Sequence, residues 1–233
     1  VYWPHKQKYK RAYSLSSSAL DRGHFEITVK RDGKMGTSLV DWAEEGDSLW
    51  VIEPTGKFLP VLDPPDKHLI CIAGGSGVTP FRGFVREATQ LKLATKITVL
   101  YSVRTTQDVI FDEEFRELAK ENPNFEFLVT CTRLAENDPW EGRRGRIDPA
   151  WVKEQVGDLE NTIFYACGPN ALVDFATSLV RDGLGVGAAA AAGGPTLAAT
   201  ANASANMCNA AAALHFPPSV ARGLGPTAMA VAG

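Results

Sequence analysis

Leu69-Ile70-Cys71-Ile72-Ala73 runs straight into Gly74-Gly75-Ser76-Gly77-Val78-Thr79-Pro80. A continuous apolar run of this length suits a strand buried on both faces. The glycines then permit a tight turn, and Thr79-Pro80 reads as an N-cap followed by the first helical residue. Such a turn lets backbone come close to a diphosphate, and the helix N-terminus behind it offers free N–H groups and partial positive charge. Glycine turns between strand and helix are also common without any ligand, so the stretch decides the local fold before it decides a function.

Working outward, residues 64–182 alternate strand and helix. Strands are predicted at Leu69–Ala73, Lys96–Ser102, Phe125–Cys131 and Thr162–Cys167. Helices are predicted at Phe81–Leu91, Asp112–Glu121, Pro149–Val156 and Asn170–Arg181. Strands that are apolar throughout and alternate with helices make a parallel sheet covered on both faces, an α/β doubly wound domain. Ligands gather at the carboxyl ends of such strands, where the loops at Gly75, Arg104 and Gly168 fall.

Residues 1–63 have another character. Tyr13–Ser17, Phe25–Arg31 and Ser48–Glu53 read as strands and Thr37–Glu44 as a short helix. Pro54, Pro60, Pro64 and Pro65 mark a boundary near residue 65. Three strands and a helix are too little for an independent barrel. At Asp182 the composition changes again: residues 183–233 are rich in alanine and glycine, and Arg222 is their only full charge. With no amphipathic period and little apolar area to offset ordering entropy, this tail is expected to be disordered.

The net charge of −3 gives no reason to invoke nucleic acid, and the basic run His5, Lys6, Lys8, Lys10 and Arg11 reads as a solvated edge. Cys71, Cys131, Cys167 and Cys208 show no metal or iron–sulfur spacing, and three of them fall in strand-like runs as small buried hydrophobes. His5, His24, His68 and His215 are scattered and take no role. No signal peptide and no membrane-spanning stretch is evident, so a cytoplasmic setting is expected.

Two further motifs flank the glycine turn. Arg11-Ala12-Tyr13-Ser14 puts a cation, an aromatic ring and a hydroxyl on one short strand, with Arg11 and Tyr13 on the same face. An amphipathic edge strand would look the same. Cys167-Gly168-Pro169 ends the fourth strand of the sheet. Taken in order with Gly33-Lys34-Met35-Gly36-Thr37-Ser38-Leu39, these motifs resemble the ferredoxin–NADP reductase-like flavoprotein family over residues 11–182. Lys96–Phe111 and Gly142–Ile147 look most like the reductase components of multi-component oxygenases.

The resemblance implies a partial antiparallel β-barrel for FAD over 1–63 and an NAD(P)-binding α/β domain over 64–182. It implies hydride transfer from NAD(P)H to flavin, then single electrons passed to an iron–sulfur protein, a haem protein or an oxygenase component. Arg11 would pair with the FAD pyrophosphate, Tyr13 would stack on the flavin, and Ser14 would hydrogen-bond near its N5. Gly33, Gly36 and Thr37 would hold the flavin phosphate, with Gly36 standing where the family usually has serine. Gly75, Gly77, Thr79, Gly168 and Pro169 would face the nicotinamide dinucleotide. Cys167 would lie near the nicotinamide, and Ser14 and Cys167 are the positions implied for catalysis. Cys167 equally fits a packed core thiol. Arg104 leans toward a 2′-phosphate and NADPH; Asp108 points the other way unless it only caps the next helix.

The sequence departs from the family pattern at both ends. The first half of the barrel and the last parallel strand are not evident, which would leave sheet edges uncovered and FAD weakly bound. The abrupt loss of charge in the tail suggests out-of-frame translation of GC-rich coding DNA; a clean reading frame through 183–233 in an independent isolate would overturn that idea. A non-catalytic fragment that binds only a nucleotide or a partner, and an enzyme completed by a second chain, remain as alternatives.

Overall fold

In the computed structural model, β3 (His68–Gly74) carries Leu69, Ile70, Cys71, Ile72 and Ala73 with no solvent exposure. The described residues are 11–52, 58–62, 66–159 and 161–184, plus the backbone of 197–201, 211–214 and 228–231. The basic run before Arg11, the prolines at 54, 64 and 65, Cys208, His215 and most of the tail lie outside them. The chain forms two compact units, Phe58–Ala205 and Val1–Lys57 with Asn206–Gly233.

In the larger unit, β3 pairs in parallel with β4 (Lys96–Val103) on one side and with β7 (Thr162–Gly168) on the other. β5 (Phe125–Cys131) follows β4, and the two-residue β6 (Arg143–Arg144) follows β5. The sheet order is β6-β5-β4-β3-β7-β8, with β8 at Leu197–Ala201. Alternate residues of β3 point to opposite faces, so two cores form. Leu69, Cys71 and Ala73 meet Phe81, Phe84 and Val85 of α2 (Thr79–Gln90) and Phe115 of α3 (Asp112–Glu121). Ile70 and Ile72 meet Trp151 and Val152 of α4 (Pro149–Gln155) and Ala176 of α5 (Asn170–Ser178). Each such large apolar side chain contributes roughly 1.5–3 kcal/mol. The strand order reverses between β3 and β7, which is the switch point of a doubly wound sheet.

Phe58 to Leu62 belong to this unit, so its edge comes earlier than the boundary expected at 63–64. The reason is a single clasp. The Tyr165 hydroxyl donates to the Leu59 carbonyl at 3.0 Å and accepts from the Val61 amide at 3.0 Å. The Phe58 ring packs against Phe81, Phe84 and Tyr165 with centroids 5.5–6.0 Å apart. Burial pushes the Tyr165 phenol up to about 12, so it remains a donor near neutral pH.

The smaller unit holds α1 (Gly33–Trp42) over β1 (Ile27–Lys30), with Ile27, Val29, Met35, Leu39 and Leu49 as its core. β1 pairs antiparallel with β9 (Ala211–Leu214), and β2 (Asp47–Trp50) with β10 (Ala228–Val231). The strand expected at Tyr13–Ser17 is reduced to one bridge, Leu15 to Ile27, plus the Ser16 amide on the Glu26 carbonyl. The serines explain it: the Ser17 hydroxyl takes the Glu26 amide, and Ser18 turns onto Asp21.

The tail is not wholly irregular. β8, β9 and β10 all fall within 183–233, and β8 covers the edge of β7 that was expected to be open, from Phe164↔Leu197 to Gly168↔Ala201. A sheet ladder is made of backbone groups, so an uncharged alanine-rich segment meets its requirements at an edge offering unpaired N–H and C=O groups.

At the amino ends of the strands, the His68 Nε2 lies 2.9 Å from the Thr98 hydroxyl, which donates to Glu126 at 3.0 Å. Burial, reinforced by the Lys96 charge and opposed by Glu126, lowers the His68 pKa to about 4. The unfolded chain protonates this histidine near 6.5 and the folded chain only near 4, so between these values the unfolded state holds more protons. Stability should therefore fall as pH drops through that window. Urea midpoints across it should show a flatter slope for His68→Asn; equal slopes would contradict the assignment.

Candidate functional site

The loops at the carboxyl ends of β3, β4 and β7 converge because these three strands are neighbours. After β3, Gly75–Val78 forms a 3-10 turn leading into α2. Gly75 has φ +54°, a left-handed conformation that favours glycine, and a side chain there would meet nothing within 4 Å. Gly77 is the opposite case. A Cβ on it would strike the carbonyl of Cys167 and the Cα of Gly168, so the turn rests directly on the end of β7. A Cβ on Gly168 would lie 3.0 Å from the backbone N and O of Gly74, and one on Gly74 would lie 3.0 Å from the Pro169 ring. Gly74, Gly77 and Gly168 thus interlock two strand ends, and Gly75 carries the open side.

Thr79 is not the N-cap. It is the first residue of α2, 4% exposed, and its hydroxyl and amide both donate to the Ser76 carbonyl, the hydroxyl at 2.7 Å. The preceding 3-10 turn delivers the chain already in helical conformation, which leaves no extended cap position. Its hydroxyl therefore shapes the turn from within. Pro80 is therefore the second helical residue and not the first, though still within the first turn. Pro169 caps α5 through its carbonyl, which accepts from the amides of Leu172 and Val173 at 2.9 and 3.1 Å.

Cys167 is 2% exposed and lies in the core with Cys71, Phe81 and Tyr165. Its backbone faces the glycine turn while its side chain packs inward, which favours the packed thiol of the two roles expected for it. Cys71 is likewise enclosed, and burial drives its thiol well above the ordinary value.

Arg104 is exposed just past β4. The ladder continues beyond the strand ends: the Thr132 amide donates to the Val103 carbonyl at 2.9 Å and the Arg133 amide to the Arg104 carbonyl at 2.8 Å. A second exposed arginine, Arg133, therefore stands beside Arg104. The sequence carried a signal for it, a cation two positions past the end of the next strand, where Arg104 stands one past its own. Asp108 is engaged locally, because its carboxylate accepts from the amide and hydroxyl of Thr105, both at 2.9 Å, in a reciprocal cap of the turn Thr106–Asp108. It caps that 3-10 turn, not α3, whose cap is Phe111.

In the smaller unit Arg11 and Ser14 are exposed and Tyr13 is half-buried against the core. Burial pushes the Tyr13 phenol up to about 12, against the opposing Arg11 charge. α1 begins at Gly33, four residues before the helix start expected at Thr37. By helical pattern the open amides of α1 run from Gly33 to Met35, and the Gly36 amide is the first to enter the helix ladder, on the Asp32 carbonyl. A Cβ on Gly36 would press on the Lys30 carbonyl and lie 3.9 Å from the Tyr13 hydroxyl. The structure thus brings Tyr13 and Gly36 together, and lets α1 approach β1 closely. Among the described residues no group of His, Cys, Asp or Glu forms a metal site, and no helix is long and apolar enough to cross a membrane.

Residues 71–178 match the oxidoreductase NAD-binding domain family. The chain is 33% identical over 162 residues to the glycine betaine monooxygenase reductase subunit of Chromohalobacter salexigens, covering 68% of this chain and 44% of that protein. It is 29% identical over 183 residues to ferredoxin–NADP reductase B of Sorangium cellulosum, covering 76% and 74%. The FAD/NAD-binding domain of nitric oxide dioxygenase from Vibrio cholerae shares the fold, with a TM-score of 0.68, 22% identity and coverage of 86% and 81%. A ferredoxin NADP+ reductase from Neisseria gonorrhoeae, solved with bound FAD and NADP, also shares it, with a TM-score of 0.62, 24% identity and coverage of 78% and 75%. The chain spans about half the length of the first curated relatives it matches, 44–47%.

Proposed function

Since the chain belongs to the ferredoxin–NADP reductase-like flavoproteins, we propose that it serves an FAD-dependent reductase that takes electrons from NAD(P)H and delivers them to an iron–sulfur protein, a haem protein or an oxygenase component. The observation that carries this reading is the interlock at the switch point: Gly77 and Gly168 close two strand ends on each other and leave Gly75 open. That arrangement suits a diphosphate against exposed backbone at a helix N-terminus.

Gly75, Gly77, Gly168 and Pro169 would cradle the dinucleotide, with Thr79 shaping the turn through Ser76 and Cys167 acting through its backbone. Arg11, Tyr13 and Ser14 would hold the flavin with Gly33, Gly36 and Thr37: the open amides that begin at Gly33 would take the phosphate, Gly36 lets α1 approach β1, and Thr37 would offer its hydroxyl. Bound cofactors supply hydride transfer and the division of an electron pair into single electrons; the protein supplies orientation and electrostatics. Calorimetric titration of NADP+ and NAD+ into the chain tests the nucleotide half, and the visible spectrum after FAD addition tests the flavin half. Dye reduction driven by NAD(P)H would establish the enzyme. Nucleotide binding without flavin uptake would instead leave a non-catalytic module.

The exposed Arg104 and Arg133 favour NADPH, since two guanidiniums suit a 2′-phosphate. Arg104→Ala should raise KM for NADPH about tenfold more than KM for NADH, the size of one lost charge-assisted hydrogen bond. Equal effects on both nucleotides would remove the preference.

A further inference from the structure

The segment after Arg104 is held by more contacts than a plain connection needs. Beyond the Thr105–Asp108 cap, the Tyr101 hydroxyl donates to the Asp108 carbonyl and accepts from the Ile110 amide, both at 3.4 Å. The segment ends on Phe111 at φ +62°, a left-handed conformation that a bulky residue keeps only when its surroundings enforce it.

Arg82 provides much of that enforcement. Its guanidinium lies over the Phe111 ring at 5.0 Å, and its Nε donates to the Glu114 carboxylate at 2.6 Å. Arg86 approaches the other Glu114 oxygen at 3.9 Å. Arg82 is only 9% exposed. A leucine or methionine would fill the same space on α2 with no charge to desolvate, so burial of a cation here is weak evidence for stability alone. Its position adds a second meaning. Arg82 lies in the first turn of α2, three residues after Thr79, whose hydroxyl and amide hold Ser76. One side chain therefore connects the Gly75–Thr79 turn to the segment 104–111.

We propose that Arg82 is a positioning residue that sets the glycine turn and the Arg104–Asp108 segment at a fixed separation, so that both engage one dinucleotide. The inference rests on the nucleotide-binding reading above. The cation on Phe111 keeps the left-handed residue in place, and the ion pair with Glu114 fixes where α3 begins relative to α2.

The experiment is calorimetric titration of NADP+ and NAD+ into the full chain, comparing the native sequence with Arg82→Met and Arg82→Lys at a temperature where all are folded by circular dichroism. Arg82→Met should weaken binding about tenfold or more, because a displaced segment loses a charge-assisted hydrogen bond to the nucleotide. Arg82→Lys should recover little, since an ammonium cannot both lie flat on the ring and hold the carboxylate. Amide exchange at Ile110 and Phe111 should rise in both variants. An unchanged dissociation constant in Arg82→Met, with or without a lower melting temperature, would reduce Arg82 to a staple between helices and overturn the proposal. Should Arg82→Met fail to fold, Glu114→Gln carries the same expectation, weaker binding, and the same contrary outcome. Failure of the native chain to bind either nucleotide would overturn the nucleotide reading itself, and this proposal with it.

Discussion

Gly77→Ala should weaken nucleotide binding by up to about a hundredfold and lower the melting temperature. Alanine in place of glycine relieves about 0.5–1 kcal/mol of chain entropy in regular structure, which by itself would be stabilising. Against that stands a collision with backbone: the new methyl would meet the Cys167 carbonyl and the Gly168 Cα. A side chain could rotate away, but a strand end held in the β3–β7 ladder cannot do so cheaply. Overpacking of this kind costs about 1–3 kcal/mol, so the collision wins. The turn must lift off β7, and losing a charge-assisted hydrogen bond from its backbone to the diphosphate is enough to reduce binding by up to about a hundredfold. Gly75→Ala is the control for folding stability alone, with open space and only the strain of a left-handed alanine, roughly 1–2 kcal/mol, because Gly75 itself faces the proposed diphosphate. Calorimetric dissociation constants and melting curves of the two variants check the ranking. Equal binding by Gly77→Ala and the native chain would show that the interlock does not set the site.

Phe115→Ala should destabilise the larger unit by about 3–5 kcal/mol. Phe115 is the only fully buried residue of α3, while the rest of that helix is strongly charged. Its ring meets Phe111, Phe125 and Phe127 with centroids 4.8–5.9 Å away. Removing it leaves a cavity and releases α3 from β5, and with α3 the support of the left-handed Phe111. Denaturant unfolding gives the loss directly, and a change below about 1 kcal/mol would contradict the view that one aromatic ring anchors the helix.

The central strand of the sheet was legible because burial on both faces writes itself into Leu69–Ala73 as an uninterrupted apolar run, and its neighbours because they are mostly apolar. Phe125–Cys131 and Asp112–Glu121 were read to the residue. The sites were legible to a lesser degree. Thr79 looked like a cap because a hydroxyl before proline is the usual signature, yet the 3-10 turn before it changes what the hydroxyl bonds. Gly36 looked like part of a helix start, and it is instead the place where a helix passes close over a carbonyl. The clasp of Tyr165 on Leu59 and Val61 spans more than a hundred positions and has no local trace.

By itself the sequence determined the alternation of strand and helix, the parallel class of the sheet and the loops at its carboxyl ends. Those properties depend on neighbours within a few positions, through periodicity, glycine freedom and proline geometry. Only the tertiary structure decided that Gly77 closes on Cys167, that Arg133 stands beside Arg104, that Arg82 covers Phe111, and that tail segments pair with β7, β1 and β2. Each of those depends on strand order and register, which join residues far apart in the chain through backbone groups that every sequence shares.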